Sequence, residues 1–360
     1  MKVLALTRYG DLGASSRLRL FQYIPYLQKN GIQVSTQALF DNTTLARRYA
    51  EGGYGKADFL LSLVKRIFTL WQRRSFDVLW IEKEALPWFP YWFESTLLKC
   101  VPYVLDFDDA VFHNYDLHRS WLVRHFLGSR IDRLMSQARL VICGNHYLEK
   151  RARQADARRV ELLETVVDET RYRAKDYVVP QQKLLSIVWV GSPSTLMYLE
   201  MLAQPLVRLS DQFNFEFKVI GGQVDMPGVN VRCVTWTASQ EADEIQASDI
   251  GVMPLFDTPW EQGKCGYKLI QYMACGLPVV ASPVGANKDI VHHGFNGLLA
   301  TDSAQWESHL GALIDSVSLR QSMGLAGRDL VEKKYCMSVT GPKLVNWLYR
   351  AIVDSPQRDG

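Results

Sequence analysis

Short apolar runs alternate along the chain with stretches of helical spacing, and the alternation begins at the second residue. Runs rich in Val, Ile and Leu predict strands at 3–7, 33–39, 78–81, 103–106, 140–143 and 160–163. A more polar stretch at 168–183, with Arg171, Arg173, Lys175, Asp176 and Pro180, interrupts the pattern. It restarts at 184–192, and further strands are predicted at 215–220, 229–234, 249–253, 278–282 and 297–299. Strands alternating with helices build a parallel sheet covered on both faces. The expected fold is therefore α/β, with two Rossmann-like domains at 1–170 and 171–338. Ligands of such sheets bind beyond the carboxyl ends of the strands, which predicts a cleft lined by strand-to-helix loops of two facing domains. Helices are predicted at 303–316, 319–334 and 339–353; the last, running to about 356, is expected to pack back on the first domain.

Composition narrows the functional classes. The chain has 360 residues, 48% of them hydrophobic, enough apolar material to fill two ordinary cores. A net charge of +3 is too small to argue for nucleic acid, and no RNA-binding aromatic signature accompanies it. Cysteines at 100, 143, 233, 265, 275 and 336 are scattered without C-x-x-C pairs, pointing to reduced thiols rather than a disulfide framework or a zinc site. No run of about 18 apolar residues is present, and the N-terminus enters a strand directly, so a cytoplasmic protein is expected.

The segment 265–282, CGYKLIQYMACGLPVVAS, reads as a helix delivered into a buried strand, with Gly276 and Pro278 punctuating the helix end. At about 100° per residue, Lys264, Lys268, Gln271 and Cys275 fall on one side and Leu269, Ile270 and Met273 on the other. Glycines at 263 and 266 let the backbone approach a ligand where free N–H groups and the helix dipole favour an anion. With two ammonium groups beside it, such a helix start suits a diphosphate. A helix with two solvated lysines has the same spacing, so context has to separate the readings.

That context is a resemblance covering nearly the whole length. The loop Gly10-Asp-Leu-Gly-Ala-Ser-Ser16, then Phe76-Asp-Val-Leu-Trp-Ile81, Leu105-Asp-Phe-Asp-Asp-Ala110, Val190-Gly-Ser192, Val219-Ile-Gly-Gly222 and the run 248–255 precede the segment above. In order and spacing they resemble the retaining glycosyltransferases of family 4 (group 1), which have the GT-B fold. The resemblance implies a nucleotide-sugar donor held mainly by the second domain. It implies a glycan or lipid-linked acceptor held mainly by the first, a role in cell-surface polysaccharide or glycolipid synthesis, and no required metal or other cofactor. It further implies a front-face displacement in which the departing phosphate assists deprotonation of the acceptor. The two glutamates of the family signature fall in this chain on Gly263 and Gln271. Gln271 keeps hydrogen-bonding capacity for a ribose, whereas Gly263 leaves the donor sugar to backbone or to neighbours such as Glu261. A nucleotide-sugar-binding protein without turnover and a nucleotide-sugar epimerase are the rival readings.

Within that resemblance Lys268 and Lys264 neutralise the diphosphate and stabilise charge on the leaving group. Gly13, with Gly10, lies in the first strand-to-helix loop, where Ser15 or Ser16 is expected to cap the next helix and N–H groups to face phosphate. Gly191, Ser192 and Gly222 end strands of the second domain and, with Gly263, Cys265, Gly266 and Gln271, complete the expected donor site. Trp236 either flanks the base or packs in the core. Asp106, Asp108 and Asp109 crowd a strand end; Asp108 is assigned to catalysis and the other two to the acceptor. His113 is the best placed histidine for catalysis near the donor sugar. Arg17, with Arg19 beside it, and Glu84 complete the acceptor side.

Residues 56–74 mix basic and apolar side chains at helical spacing, and 88–93 add an aromatic cluster. This composition suits a peripheral contact with anionic lipid; a core-packed helix with a solvated basic edge has the same pattern.

Overall fold

The computed structural model describes residues 1–51, 53, 55–177 and 184–353. The chain divides into two compact units. One comprises Met1–Thr165, the loop Gly263–Cys265 and the stretch from Ser338 onward; the other comprises Val166–Gln262 and Gly266–Met337.

In the first unit β1 (Lys2–Tyr9), β2 (Gln33–Phe40), β3 (Val78–Glu82), β4 (Tyr103–Phe107), β5 (Leu140–Cys143) and β6 (Val160–Leu162) form a parallel sheet in the order β2-β1-β3-β4-β5-β6. Strands β3, β4 and β5 are buried along their whole length, which is why they read in the sequence as unbroken apolar runs. The order reverses at β1 and β3, so the loops after β1, β3 and β4 gather at a switch point where ligands of such sheets bind. The helices used below are α1 (Ala14–Arg19), α2 (Lys56–Trp71), α3 (Tyr91–Leu98) and α4 (Trp121–Leu127).

The second unit repeats the plan with β7 (Leu185–Val190), β8 (Phe215–Ile220), β9 (Val231–Val234), β10 (Ile250–Met253), β11 (Val279–Ala281) and β12 (Gly297–Leu299), ordered β12-β11-β10-β7-β8-β9. Alternation along β7 fills both faces: Val188 and Val190 join the core of Leu269, Tyr272 and Met273, while Ile187 and Trp189 join that of Leu202, Leu206, Trp306 and Leu310. The first of these cores is supplied by α5 (Tyr267–Ala274), the second in part by α6 (Ser303–Asp315), and α7 (Val317–Lys334) follows. Helix α8 (Met337–Val353) lies from Ser338 onward in the first unit, where Tyr23 and Thr340 share a 2.9 Å hydroxyl contact and the Tyr349 hydroxyl donates to the Asn30 carbonyl at 3.2 Å.

Every strand expected from the sequence is present, with ends shifted by at most two residues. The polar stretch after 168 is not a free linker as far as 177. Tyr172 is buried, and the Lys175 ammonium lies 2.5 Å from Asp249 and donates to the Ser248 carbonyl. Pro180 and Lys183 lie outside the described residues.

Candidate functional site

In the second unit the informative segment departs from its expected geometry at one residue. Gly266 has φ +66°, and a Cβ there would stand 2.3 Å from Ile290 Cδ1. The left-handed break starts α5 only at Tyr267. Lys264 therefore sits in the preceding loop and not on a helix face shared with Lys268. Gln271 and Cys275, expected on the same anion-facing side, are buried; the Gln271 amide donates to the Tyr172 hydroxyl at 2.8 Å. Tyr172 comes from the packed polar stretch, so that flank of α5 is covered.

Lys268 keeps the expected position, on the first turn of α5. Its ammonium lies 4.7 Å from the ring centroid of buried Trp189 on β7, a cation–π contact. Trp189 also backs Gly191, where the space for a Cβ is filled by the indole, and the next residue, Ser192, opens a short helix through a capping box with Thr195. Gly222, after β8, packs on Leu196 of that same short helix. The structure thus brings Gly191, Ser192, Gly222 and Lys268 together at the carboxyl ends of β7 and β8. Two neighbours fill other roles. Glu261 is buried and accepts from the Tyr198 hydroxyl at 2.5 Å and from the Thr258 hydroxyl. Trp236 donates to Glu241 at 2.7 Å and packs against the core.

In the first unit the loops after β1, β3 and β4 hold a compact charged cluster. The Ser15 hydroxyl donates to Asp108 Oδ2 at 2.5 Å, and Lys83 Nζ lies 3.0 Å from both Asp108 Oδ1 and Asp109 Oδ2. Burial pushes the Asp108 carboxyl up, but Lys83 and the Ser15 hydrogen bond outweigh it and hold the group below the usual carboxylate range. Burial likewise disfavours the Lys83 ammonium, and Asp108 and Asp109 reverse that effect, keeping it charged. Lys83 has φ +64°, a conformation that a non-glycine residue rarely adopts. Sequence reasoning passed over this residue; its only signal was a run of three charges, Glu82, Lys83 and Glu84, at a strand end. Lys83 thus bridges the carboxylates of the adjacent residues Asp108 and Asp109.

The loop Gly263–Cys265 belongs to this unit and is tightly fitted. A Cβ at Gly263 would stand 2.6 Å from the Ala110 backbone nitrogen, so a glutamate side chain has no room there. The Lys264 carbonyl accepts from the Asn145 amide at 2.9 Å. The Cys265 thiol is buried against the Asp108 carbonyl at 3.2 Å, and burial pushes it well above the usual thiol range.

Asp106 and Glu84, expected on the acceptor side, are buried in ion pairs. Asp106 is completely buried, takes a 2.8 Å ion pair from equally buried Arg19 and accepts from the Trp80 indole at 3.3 Å. Successive strand residues face opposite sides; Asp106 falls inward, whereas Asp108 lies beyond the end of β4. Burial, the larger influence, raises Asp106 to about 6 in spite of Arg19. Glu84 is buried too, accepting from Arg130 and from the Tyr115 hydroxyl at 2.7 Å. Neither serine caps α1 with its side chain. Gly13 is the N-cap, Ser15 turns to Asp108, and Ser16 donates to Glu82 at 2.6 Å, tying the start of α1 to β3. Gly10 accepts from the Gly13 N–H at 3.0 Å, closing the loop. Arg17 folds back on the carbonyls of Asp11 and Leu12 at 3.2 and 3.4 Å. His113 has both ring nitrogens engaged, at 2.8 Å from Asp116 and 2.8 Å from the Tyr147 hydroxyl.

Residues 184–316 match the family model described as Glycosyl transferases group 1. This stretch is similar to group 1 glycosyltransferases. It occupies most of the second unit, including Lys268 and the loops after β7 and β8. The chain is 32% identical over 123 residues to D-inositol 3-phosphate glycosyltransferase of Pseudarthrobacter chlorophenolicus, an alignment that covers 34% of this chain and 28% of that relative. Among solved structures, sucrose-phosphate synthase from Thermosynechococcus elongatus superposes with a TM-score of 0.75 at 14% identity, covering 99% of this chain and all of that one. Anabaena HepE in complex with UDP gives 0.73 at 16% identity, covering 97% and all. The fold is GT-B, and residues 184–316 lie in its second Rossmann-like unit.

Proposed function

We propose that the chain is a retaining glycosyltransferase that moves a sugar from a nucleotide-sugar to a glycan or lipid-linked acceptor, in the synthesis of a surface polysaccharide or glycolipid. The observation that carries this reading is the match of 184–316 to the group 1 family model, with Lys268 on the first turn of α5 beside the Gly191–Ser192 turn. In the proposed reaction the leading N–H groups of α5 and the Lys268 ammonium face the donor diphosphate, with Lys264 as a second charge from the loop. As the anomeric C–O bond breaks, negative charge grows on the departing phosphate oxygen, and Lys268 stabilises it. The acceptor hydroxyl attacks the same face of the sugar and its proton passes to that oxygen, so configuration is retained and no protein nucleophile is consumed.

On the acceptor side we assign Asp108, which Lys83 helps to keep ionised, and Asp109, which the same lysine holds in place, together with His113 and Arg17. Asp106 and Glu84 take no part. No metal is required in this scheme, since lysine supplies the positive charge. A solved structure of similar fold, Anabaena HepE, is in complex with UDP-glucose, which makes UDP-sugars the first donors to try.

The test is nucleotide release from UDP-, GDP- and dTDP-sugars, with and without free and lipid-linked glycan acceptors, each repeated with a chelator. Release that depends on acceptor, survives chelator and yields the donor's anomeric configuration supports the proposal. Donor binding without turnover in every arm would overturn it. That outcome would favour a nucleotide-sugar-binding protein, the second reading, motivated by the closed space at Gly263.

A further inference from the structure

We propose that the first unit docks on an anionic lipid surface through a face formed by α2, α3, α4 and the aromatic loop before α3. The inference rests on surface chemistry and stands independently of the glycosyl-transfer reading.

Helix α2 has two apolar sides. Leu63 and Leu70 are buried in the core. On the outer side Leu60, Leu61, Val64, Phe68 and Trp71 recur at three- and four-residue spacing and are 54% to 70% exposed. A core-packed helix with a solvated basic edge would present polar residues there, whereas this side is apolar. The apolar face continues onto neighbouring elements. Helix α3 packs beside α2 and exposes Trp92. In the loop before it Trp88, 46% exposed, stands against Tyr115 and His118, with ring centroids 5.1 and 5.9 Å apart. That contact leads to α4, where Trp121, Leu122 and Phe126 are 56% to 71% exposed. Soluble monomers rarely leave so many large apolar side chains uncovered on adjoining elements.

Charge identifies the occupant. Lys65, Arg74, Lys99, Arg119 and Arg124 are exposed on these same segments. Their carboxylates are consumed within the fold: Asp58 pairs with Arg47, and Glu94 is buried against Arg130. Exposed apolar and aromatic side chains on segments that also carry exposed cations match an anionic headgroup layer over its acyl boundary. A second copy of this face is the poorer occupant, because a two-fold contact would bring two sets of these cations together. No described helix is long and apolar enough to cross a membrane, so the face lies on the bilayer.

The experiment is flotation of the full chain with phosphatidylcholine vesicles, with and without phosphatidylglycerol, at low and high salt. Binding is expected on the anionic vesicles and is expected to weaken with salt. The double variant Phe68→Glu, Phe126→Glu should lower the bound fraction at least about tenfold while leaving the circular dichroism unchanged, because both side chains are mostly exposed. Tryptophan fluorescence should shift to the blue on anionic vesicles, and Trp121→Phe should reduce that shift. Three results would overturn the proposal: no flotation at low salt, a double variant that floats like the parent chain, or a solution dimer that the same double variant dissociates.

Discussion

Replacing Lys268 by alanine separates catalysis from folding at a single position. The structural loss is small. The 4.7 Å contact over Trp189 is worth about 0.5–1 kcal/mol where the cation is partly solvated, and alanine is at least as good a helix former as lysine, returning a few tenths of a kcal/mol. For a unit of this size the melting temperature should fall by no more than about 4 °C. The catalytic loss is larger by contrast. If the ammonium stabilises charge on the departing phosphate, its removal should lower kcat/KM by about 10²- to 10³-fold, or about 3–4 kcal/mol of transition-state stabilisation. Lys268→Arg should restore part of the rate, since a guanidinium carries the charge but places it differently. Acceptor-dependent nucleotide release measured beside a thermal melt tests both halves. Turnover within about twofold of the parent, or activity that falls only in step with stability, would remove Lys268 from the site.

Two further outcomes follow from the first unit. Arg19→Met should cost about 3–5 kcal/mol in denaturant unfolding by stranding the buried Asp106 carboxylate; adding Asp106→Leu should recover most of it, and a single variant that costs no more than a surface change would contradict the pairing. The pH dependence has a definite sign. Asp106 is raised from 3.8 to about 6 in the fold, so the folded chain holds this proton more tightly than the unfolded one. Its contribution is fully present below about pH 4 and is lost as pH rises through 6, a change of at most about 3 kcal/mol. The stability of the parent relative to Asp106→Asn should therefore fall from pH 4 to 6.5, and a flat difference would count against the shift.

The strands were legible because a parallel sheet buried on both faces writes itself as uninterrupted apolar runs, as at β3, β4 and β5. The site was only partly legible. Helical periodicity does not register a left-handed residue, so Lys264 was placed on a helix that Gly266 prevents from reaching it. Asp106 and Asp108 look equivalent in sequence; what distinguishes them is Arg19, 87 positions away, and Ser15, 93 positions away. Ser16 resembles a helix cap until Glu82 approaches from β3. The outward apolar residues of α4 become conspicuous only once the fold shows that nothing in their own unit covers them.

On the glycosyl-transfer proposal, the tight seat of residue 263 against Ala110 constrains how donor preference can be altered. A glutamate reinstated there would have to displace main chain, not merely a neighbouring side chain. Reversion toward the family signature is therefore barred at one of its two positions. On the glycosyl-transfer proposal, selectivity for the sugar is to be altered at positions other than 263.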